Sequence, residues 1–189
     1  MRTLVSISCR FPRRFSLSRR VGGYTLTELL VALAILVALT AIALPMVRSG
    51  IRSAHRAGCL SNLKQIGIGL ELYLQDHAQV MPVLEAGRRD RREDVPVLET
   101  VLAEYLDDDE VFRCPADRKS FAESGSSYMW NTTQNGLRRN QLSFFTSEDP
   151  ARIPLVIDKE AWHSGGESGS NFLYADMTAS NRVAFSVSP

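Results

Sequence analysis

Side chains with catalytic potential are concentrated near the end of the sequence. Asp158, His163 and Asp176 flank short apolar segments, and Ser164 and Ser168 lie in the Gly/Ser-rich stretch between them. Asp, His and Ser together are the groups of a hydrolase, so a hydrolase that uses His163 and Asp176 is one hypothesis. The sequence has, however, no nucleophile elbow, no histidine pair at metal spacing and no phosphate-binding glycine loop.

Turn chemistry explains the same residues without catalysis. Asp and His side chains hydrogen-bond loop amides, and glycine permits positive φ. We therefore expect Asp158, His163 and Asp176 to clamp loops, and we expect no enzymatic activity. Metal binding and partner recognition remain as alternatives for this group.

The three cysteines allow one disulfide. Cys9 lies in a basic N-terminal arm, so only Cys59 and Cys114 belong to the rest of the chain. If that part is outside the cytoplasm, the two thiols can oxidise to a disulfide. The alternative is that both are unpaired small hydrophobic residues.

Glu28 is an acid at the start of an apolar run. From Leu29 to Val47 there is no charge, only Thr40 is polar, and Pro45 lies near the end. A helix of that length is about 28 Å long, close to the hydrocarbon thickness of a bilayer. A carboxylate in a membrane segment costs a few kcal/mol and usually marks a function. The alternative is that Glu28 lies close enough to the interface to reach water.

The apolar run has three interpretations: a secretory signal peptide, a permanent anchor, or a helix that joins an assembly. Ala41-Ile42-Ala43 resembles a signal cleavage site. The run is nevertheless longer than the apolar core of a signal peptide, and Glu28 stands at its start. We therefore favour the anchor and the assembly helix.

The first 23 residues have the composition of a targeting arm, with six arginines and no acid. Positive charge beside an apolar segment tends to stay in the cytoplasm, which places the N-terminus inside and residues after Val47 outside. Without this arm, 22 − 6 = 16 basic residues face 21 acidic ones. The arginines within residues 85–94 are interleaved with acids, so nucleic-acid binding is not expected.

Gly23-Tyr24-Thr25-Leu26-Thr27-Glu28, followed by the apolar run, resembles the processing site of type IV prepilins and type II secretion pseudopilins. The resemblance implies that a prepilin peptidase cuts between Gly23 and Tyr24 and methylates Tyr24, where phenylalanine is the commoner residue. It also implies that Glu28 is the acid of the fifth mature position and that Pro45 is the proline that bends the helix.

The new α-amino group gives Glu28 a partner. In an assembling filament the amine of Tyr24 on an adjacent subunit can meet Glu28 as an opposite charge in a low-dielectric bundle. The resemblance implies as partners the prepilin peptidase, other pilin or pseudopilin subunits, the inner membrane and, indirectly, an assembly ATPase and platform.

The spacing after Pro45 predicts an amphipathic continuation of the helix. Leu63, Ile66, Leu70 and Tyr73 recur three and four residues apart. Met81-Pro82 is expected to stop the helix. A short helix follows at 97–106, and strands are predicted at 153–158, 171–176 and 182–186. The segment 127–131 resembles the first head strand of a pseudopilin-like subfamily, which implies a further strand there. The predicted fold is α+β and pilin-like: a long N-terminal helix packed on a small antiparallel sheet. Its parts are a leader (1–23), a membrane helix (24–47), the amphipathic continuation (48–80) and an extracytoplasmic head (81–189).

Further segments of the chain resemble the same pseudopilin-like subfamily. Two of these segments are the Cys-Pro pair at Cys114 and the stretch around Cys59. The resemblance implies that the two cysteines are bonded to each other. The subfamily's terminal His…Ala-Asp-Gly-His motif is matched by His163 and Asp176, but Met177 and Thr178 replace the last two residues.

Some pseudopilin heads bind calcium, and the acidic run 107–110 offers oxygen ligands. It lacks the ligand spacing and the glycine of an EF-hand loop, so no metal or other cofactor is expected. The sequence thus predicts a pseudopilin or minor pilin subunit in the inner membrane, with its head outside the cytoplasm. The alternative is a membrane-anchored binding or sensor domain that does not assemble.

Overall fold

The computed structural model describes residues 23–163 and 168–185. Most of the predicted leader, with Cys9, and the candidate serine Ser164 lie outside the described residues. The chain divides into two compact units, residues 1–43 and 44–189. Helix α1, Leu26–Asp76, contributes residues to both.

In the first unit, α1 carries an apolar surface that is exposed all round. Thr40 is the one polar residue of the run, and its hydroxyl donates to the carbonyl oxygens of Leu36 and Val37 at 2.9 Å each. Its hydrogen-bonding capacity is thus satisfied within the helix, as an apolar surrounding requires.

In the second unit, α1 continues through Pro45 and ends at Asp76. The chain then takes left-handed φ values of 53° at Ala78 and 60° at Gln79, and the Gln79 amide donates to the Leu74 carbonyl at 2.8 Å. This turn satisfies an end carbonyl and terminates the helix. The helix therefore ends before the predicted stop at Met81-Pro82.

Four short strands form one antiparallel sheet in the order β1-β2-β3-β4. The pairings join Met129 to Ile157, Val156 to Leu173, and Leu173 to Ala179. The elements that follow α1 are α2 (Leu98–Val101), α3 (Ser120–Ser124), β1 (Tyr128–Trp130), β2 (Pro154–Asp158), β3 (Phe172–Tyr174) and β4 (Ala179–Ser180). The predicted α+β fold of a long N-terminal helix and a small antiparallel sheet is confirmed.

The last strand is not where the sequence predicted it. The expected strand at 182–186 is wrong in its described part: β4 is Ala179–Ser180, and residues 182–185 are irregular. The cause is a tight turn in which the Tyr174 amide donates to the Thr178 carbonyl at 2.9 Å and Met177 adopts a φ of 64°. The turn returns the chain to β3 before residue 182 is reached.

The core lies between α1 and the sheet. From α1 it takes one stripe at helical spacing, and from the strands it takes mainly aliphatic side chains. Burial of each such side chain stabilises the fold by roughly 1.5–3 kcal/mol. The α1 stripe comprises Cys59, Leu63, Ile66, Leu70 and Leu74, each fully buried.

Glycine on α1 permits a close approach to a neighbouring segment. A Cβ at Gly69 would lie 2.9 Å from Cγ of Leu106, whereas a Cβ at Gly50 would meet no atom within 4 Å. The glycine that weakens the helix at position 69 therefore allows packing that a side chain would prevent.

Candidate functional site

The segment expected to be processed lies outside the helix. Gly23, Tyr24 and Thr25 have no regular secondary structure, and Tyr24 is 90% exposed. The Gly23–Tyr24 peptide bond is therefore next to, and not within, the first turn of α1.

Thr25 and Glu28 form a reciprocal cap on α1. Oε2 of Glu28 accepts the Thr25 amide at 2.9 Å and the Thr25 hydroxyl at 2.8 Å, while the Glu28 amide donates to Oγ1 of Thr25 at 3.3 Å. This is the capping-box arrangement, and it satisfies amides that the first turn leaves unpaired. Glu28 thus has a local structural role that the sequence analysis did not identify.

The apolar run that follows Glu28 is exposed along its whole length, Leu29 to Val47. Helix α1 is long and apolar enough to cross a membrane. Pro45 lies near the end of this run, inside the helix. The membrane-length run therefore exists as helix, and the bend expected at Pro45 stays a prediction.

In the structure, Cys59 of α1 is bonded to Cys114 of the loop after α2, with 4.8 Å between their Cα atoms. Both cysteines are fully buried. The Tyr128 hydroxyl donates to the Cys59 carbonyl at 3.4 Å. The bond ties α1 directly to the segment that leads into the sheet.

Asp117 organises the loop on the Cys114 side. It accepts the Ser127 hydroxyl and the amides of Lys119 and Phe121, and Oγ of Ser127 in turn accepts the Cys114 amide at 2.9 Å. Burial alone would raise the pKa of Asp117, but these hydrogen bonds outweigh it and lower the pKa. The carboxylate is therefore held charged and fixes the backbone beside the disulfide.

Asp158 and His163 are brought together beside the disulfide. Asp158 is at the end of β2, and its Oδ2 lies 3.6 Å from Nε2 of His163, which in turn lies 3.4 Å from Sγ of Cys114. Oδ2 of Asp158 also accepts the amide and the side-chain Nδ2 of Asn171 at 2.8 and 2.9 Å. Asp158 thereby fixes the start of β3.

Burial controls the charge state of this pair. It raises the pKa of Asp158 to about 7, against the lowering effect of the Asn171 hydrogen bonds. It lowers the pKa of His163, and the positive charges of Arg56 and His55 lower it further. Between the lowered pKa of His163 and about pH 7 both groups are therefore mainly neutral, and they do not form a strong ion pair there.

Asp176 is not part of this cluster. Its Oδ1 accepts the amide and the hydroxyl of Thr178 at 3.0 and 2.7 Å, within its own exposed turn. The candidate nucleophile Ser168 is exposed and donates to the Ser170 carbonyl at 3.4 Å. The described residues thus join Asp158 to His163 and leave Asp176 in a separate turn hydrogen bond.

Two groups have the donor types of a metal site. Cys59, Cys114 and His163 have ligand atoms within 4.8 Å of one another, but the two sulfurs are bonded to each other. In the acidic run, Asp108 accepts the Glu110 amide at 2.9 Å and Glu110 pairs with Arg113 at 3.3 Å. Asp108 and Glu110 therefore have local structural partners.

Sequence reasoning missed Asn171 and Ser127, which hold Asp158 and the Cys114 segment. Both stand directly before a strand residue, at positions where a polar side chain commonly bonds a neighbouring turn. That signal identifies a turn but does not identify its partner, which is 13 residues away in each case.

Comparison with known proteins adds one finding. Residues 18–44 match the family model described as a prokaryotic N-terminal methylation motif. No curated protein and no solved structure matches the chain. The matched range covers the Gly23–Tyr24 bond, the Thr25–Glu28 cap and most of the exposed apolar run. The chain therefore carries the N-terminal methylation motif of pilin-like precursors, at the start of a helix long and apolar enough to cross a membrane.

Proposed function

We propose that this chain is a structural subunit, a pseudopilin or minor pilin, of a type IV pilus-like or type II secretion filament. The observation that carries the proposal is the coincidence of the methylation motif at residues 18–44 with the exposed segment before α1 and the apolar helix behind it. Prepilin peptidase removes residues 1–23 and methylates Tyr24, leaving 189 − 23 = 166 residues.

Assembly follows from the chemistry of the new terminus. The described contacts of Glu28 occupy Oε2, and none of them uses Oε1. Oε1 is therefore the acceptor for the α-amino group of Tyr24 on a neighbouring subunit. Lipid already covers apolar side chains in the membrane, so their burial alone does not drive association there. Close packing of the apolar helices and the Glu28–amine pair supply the cohesion and set the register.

The proposed topology places the N-terminus in the cytoplasm and the head outside it, anchored in the inner membrane. The arginines of the leader support the cytoplasmic N-terminus. The Cys59–Cys114 bond supports an oxidising location for the head. A separate cytoplasmic ATPase and platform would power extraction from the membrane.

Intact-mass measurement of the chain made with and without a prepilin peptidase tests the proposal. We expect loss of residues 1–23 and a gain of one methyl group only when the peptidase is present. Gly23→Leu should abolish the change, and Gly22→Leu, one residue further from the bond, serves as the matched control. An N-terminus that stays unprocessed beside an active peptidase would support the anchored binding or sensor domain instead.

A further inference from the structure

A polar pocket of about 380 Å³ lies between α1 and the segment that follows β2. Trp162 and His163 form part of one wall, and the α1 wall is made by Ser49, Arg52, Ser53, His55 and Arg56. The pocket belongs entirely to the second unit. Neither the methylation motif nor the proposed assembly contact uses it.

The described lining of this pocket is cationic. It contains two arginines and no Asp or Glu among the residues that the structure describes there. Arg56 donates from Nη2 to the His163 carbonyl at 3.1 Å, which fixes its guanidinium against the wall. Arg52 is exposed and makes no hydrogen bond or ion pair with any residue of 23–163 or 168–185.

The electrostatic potential in the buried part of the pocket is positive. Burial, followed by the charges of Arg56 and His55, lowers the pKa of His163 on the wall. The lining residues with hydroxyl groups, Ser49 and Ser53, add neutral donors one turn apart on the same helix. Guanidinium and hydroxyl donors around a positive cavity are the chemistry that binds phosphate oxygens.

The position of the pocket indicates the source of the phosphate. Ser49 and Arg52 are about 3 and about 8 Å beyond Val47 along α1, at 1.5 Å per residue. The headgroup layer on each side of a bilayer is about 5–7 Å thick. Side chains on a helix tilt toward its N-terminus, here toward the end of the apolar run. Trp162 on the opposite wall is the residue type enriched at membrane interfaces.

We propose that this pocket binds the phosphate headgroup of an anionic phospholipid in the outer leaflet of the inner membrane. Arg52 is the main cationic contact, and Ser49 and Ser53 donate to the remaining phosphate oxygens. This assignment accounts for arginines on the side of the apolar run where positive charge is otherwise disfavoured. The lipid as source rests on the proposed membrane insertion of α1.

Lipid retention by the full-length chain in a neutral detergent tests the proposal. Native mass spectrometry would compare bound phosphatidylglycerol with bound phosphatidylcholine, and calorimetry would measure inorganic phosphate separately. We expect preferential retention of phosphatidylglycerol and a loss of about fivefold in Arg52→Gln, the contribution of one arginine near an anionic surface. Arg48→Gln removes the same charge one turn earlier, from a residue outside the pocket, and should change retention less than twofold.

Each other outcome overturns the proposal. Equal losses in the two variants would show a diffuse charge effect and no defined site. Binding of inorganic phosphate without preference for phosphatidylglycerol would exclude the lipid headgroup. The peptidase assay reports on the proposed subunit role independently, because lipid retention is measured on the unprocessed chain.

Discussion

The disulfide between Cys59 and Cys114 provides the sharpest test of the fold. The perturbation is the double variant Cys59→Ala/Cys114→Ala, which removes the cross-link and leaves both ends of the loop apolar. Both cysteines are fully buried and alanine adds no polar group of its own, but the variant also removes Sγ of Cys114, which lies 3.4 Å from Nε2 of His163. The matched reference is the wild-type chain treated with a reductant.

The stability that the disulfide contributes follows from the size of the loop that it closes. The bonded residues are separated by 55 positions. In the chain-entropy treatment, a loop of that length restricts the unfolded chain enough to contribute about 4 kcal/mol. Domains of this size have total stabilities of only about 5–15 kcal/mol. Loss of the bond should therefore remove a large share of the stability of the second unit.

Urea unfolding of the chain in neutral detergent measures this loss. Trp130, 2% exposed, reports the unfolding of the sheet through its fluorescence. With a denaturant slope of roughly 1–3 kcal/mol per molar, 4 kcal/mol corresponds to a midpoint lower by about 1–4 M. Reductant should lower the wild-type midpoint by a similar amount and leave the double variant unchanged.

Two results would contradict a stabilising disulfide between Cys59 and Cys114. Non-reducing peptide mapping that recovers Cys59 and Cys114 as separately alkylated thiols would show that the bond is not formed. A double variant as stable as the oxidised wild type would show that the cross-link does not contribute to stability.

Three further predictions concern other parts of the chain. Burial raises the pKa of Asp158 to about 7, so the folded chain holds a proton that the unfolded chain loses above about pH 4, and the contribution of Asp158 to stability falls as pH rises from about 4 to about 7. Asp158→Asn should reduce this slope in urea unfolding at several pH values, and an unchanged slope would contradict the assignment. In Gly69→Ala the contact of the new Cβ with Leu106 should cost about 1–3 kcal/mol in the same assay, offset by up to about 1 kcal/mol of helix propensity. Gly50→Ala, with open space around it, should gain up to about 1 kcal/mol, and equal effects at both sites would exclude the packing argument. Glu28→Val and Glu28→Gln should both insert into the membrane and both enter filaments poorly, as measured in sheared filament fractions. If Glu28→Gln entered filaments fully while Glu28→Val did not, the role of Glu28 would be the helix cap, which glutamine preserves.

The long helix and the strands β2 and β3 were accessible from sequence because their signals are local. Apolar residues three and four apart specify one face of α1, and short apolar runs bounded by polar residues specify β2 and β3, whereas β1 was expected from resemblance. The end of α1 was less accessible, since left-handed φ values at Ala78 and Gln79 have no strong sequence signal. The last strand was misplaced because residues 182–186 alternate in polarity, while the turn at Met177, where φ is 64°, has no strong sequence signal.

In the candidate site, too, the residues of a local motif were predictable from sequence and the long-range contacts were not. Glu28 and Tyr24 were identified because their spacing from an apolar run is itself the motif. The contact between Asp158 and His163 joins a strand end to a loop, and Asn171 reaches Asp158 across 13 residues. Such partners are set by the packing of the second unit, so no local pattern predicts them. The pairing of Cys59 with Cys114 was likewise suggested by resemblance and not by spacing.

The cap at the start of α1 has a consequence for proteolysis. Thr25 and Glu28 both lie on the retained side of the Gly23–Tyr24 bond. A protease that binds its substrate as an extended strand can therefore reach the bond without unwinding a turn of helix. Under the proposed processing, release of the leader would break none of the hydrogen bonds between Thr25 and Glu28. The processed helix would be complete at its first turn, and the cut would change its charge without changing its fold.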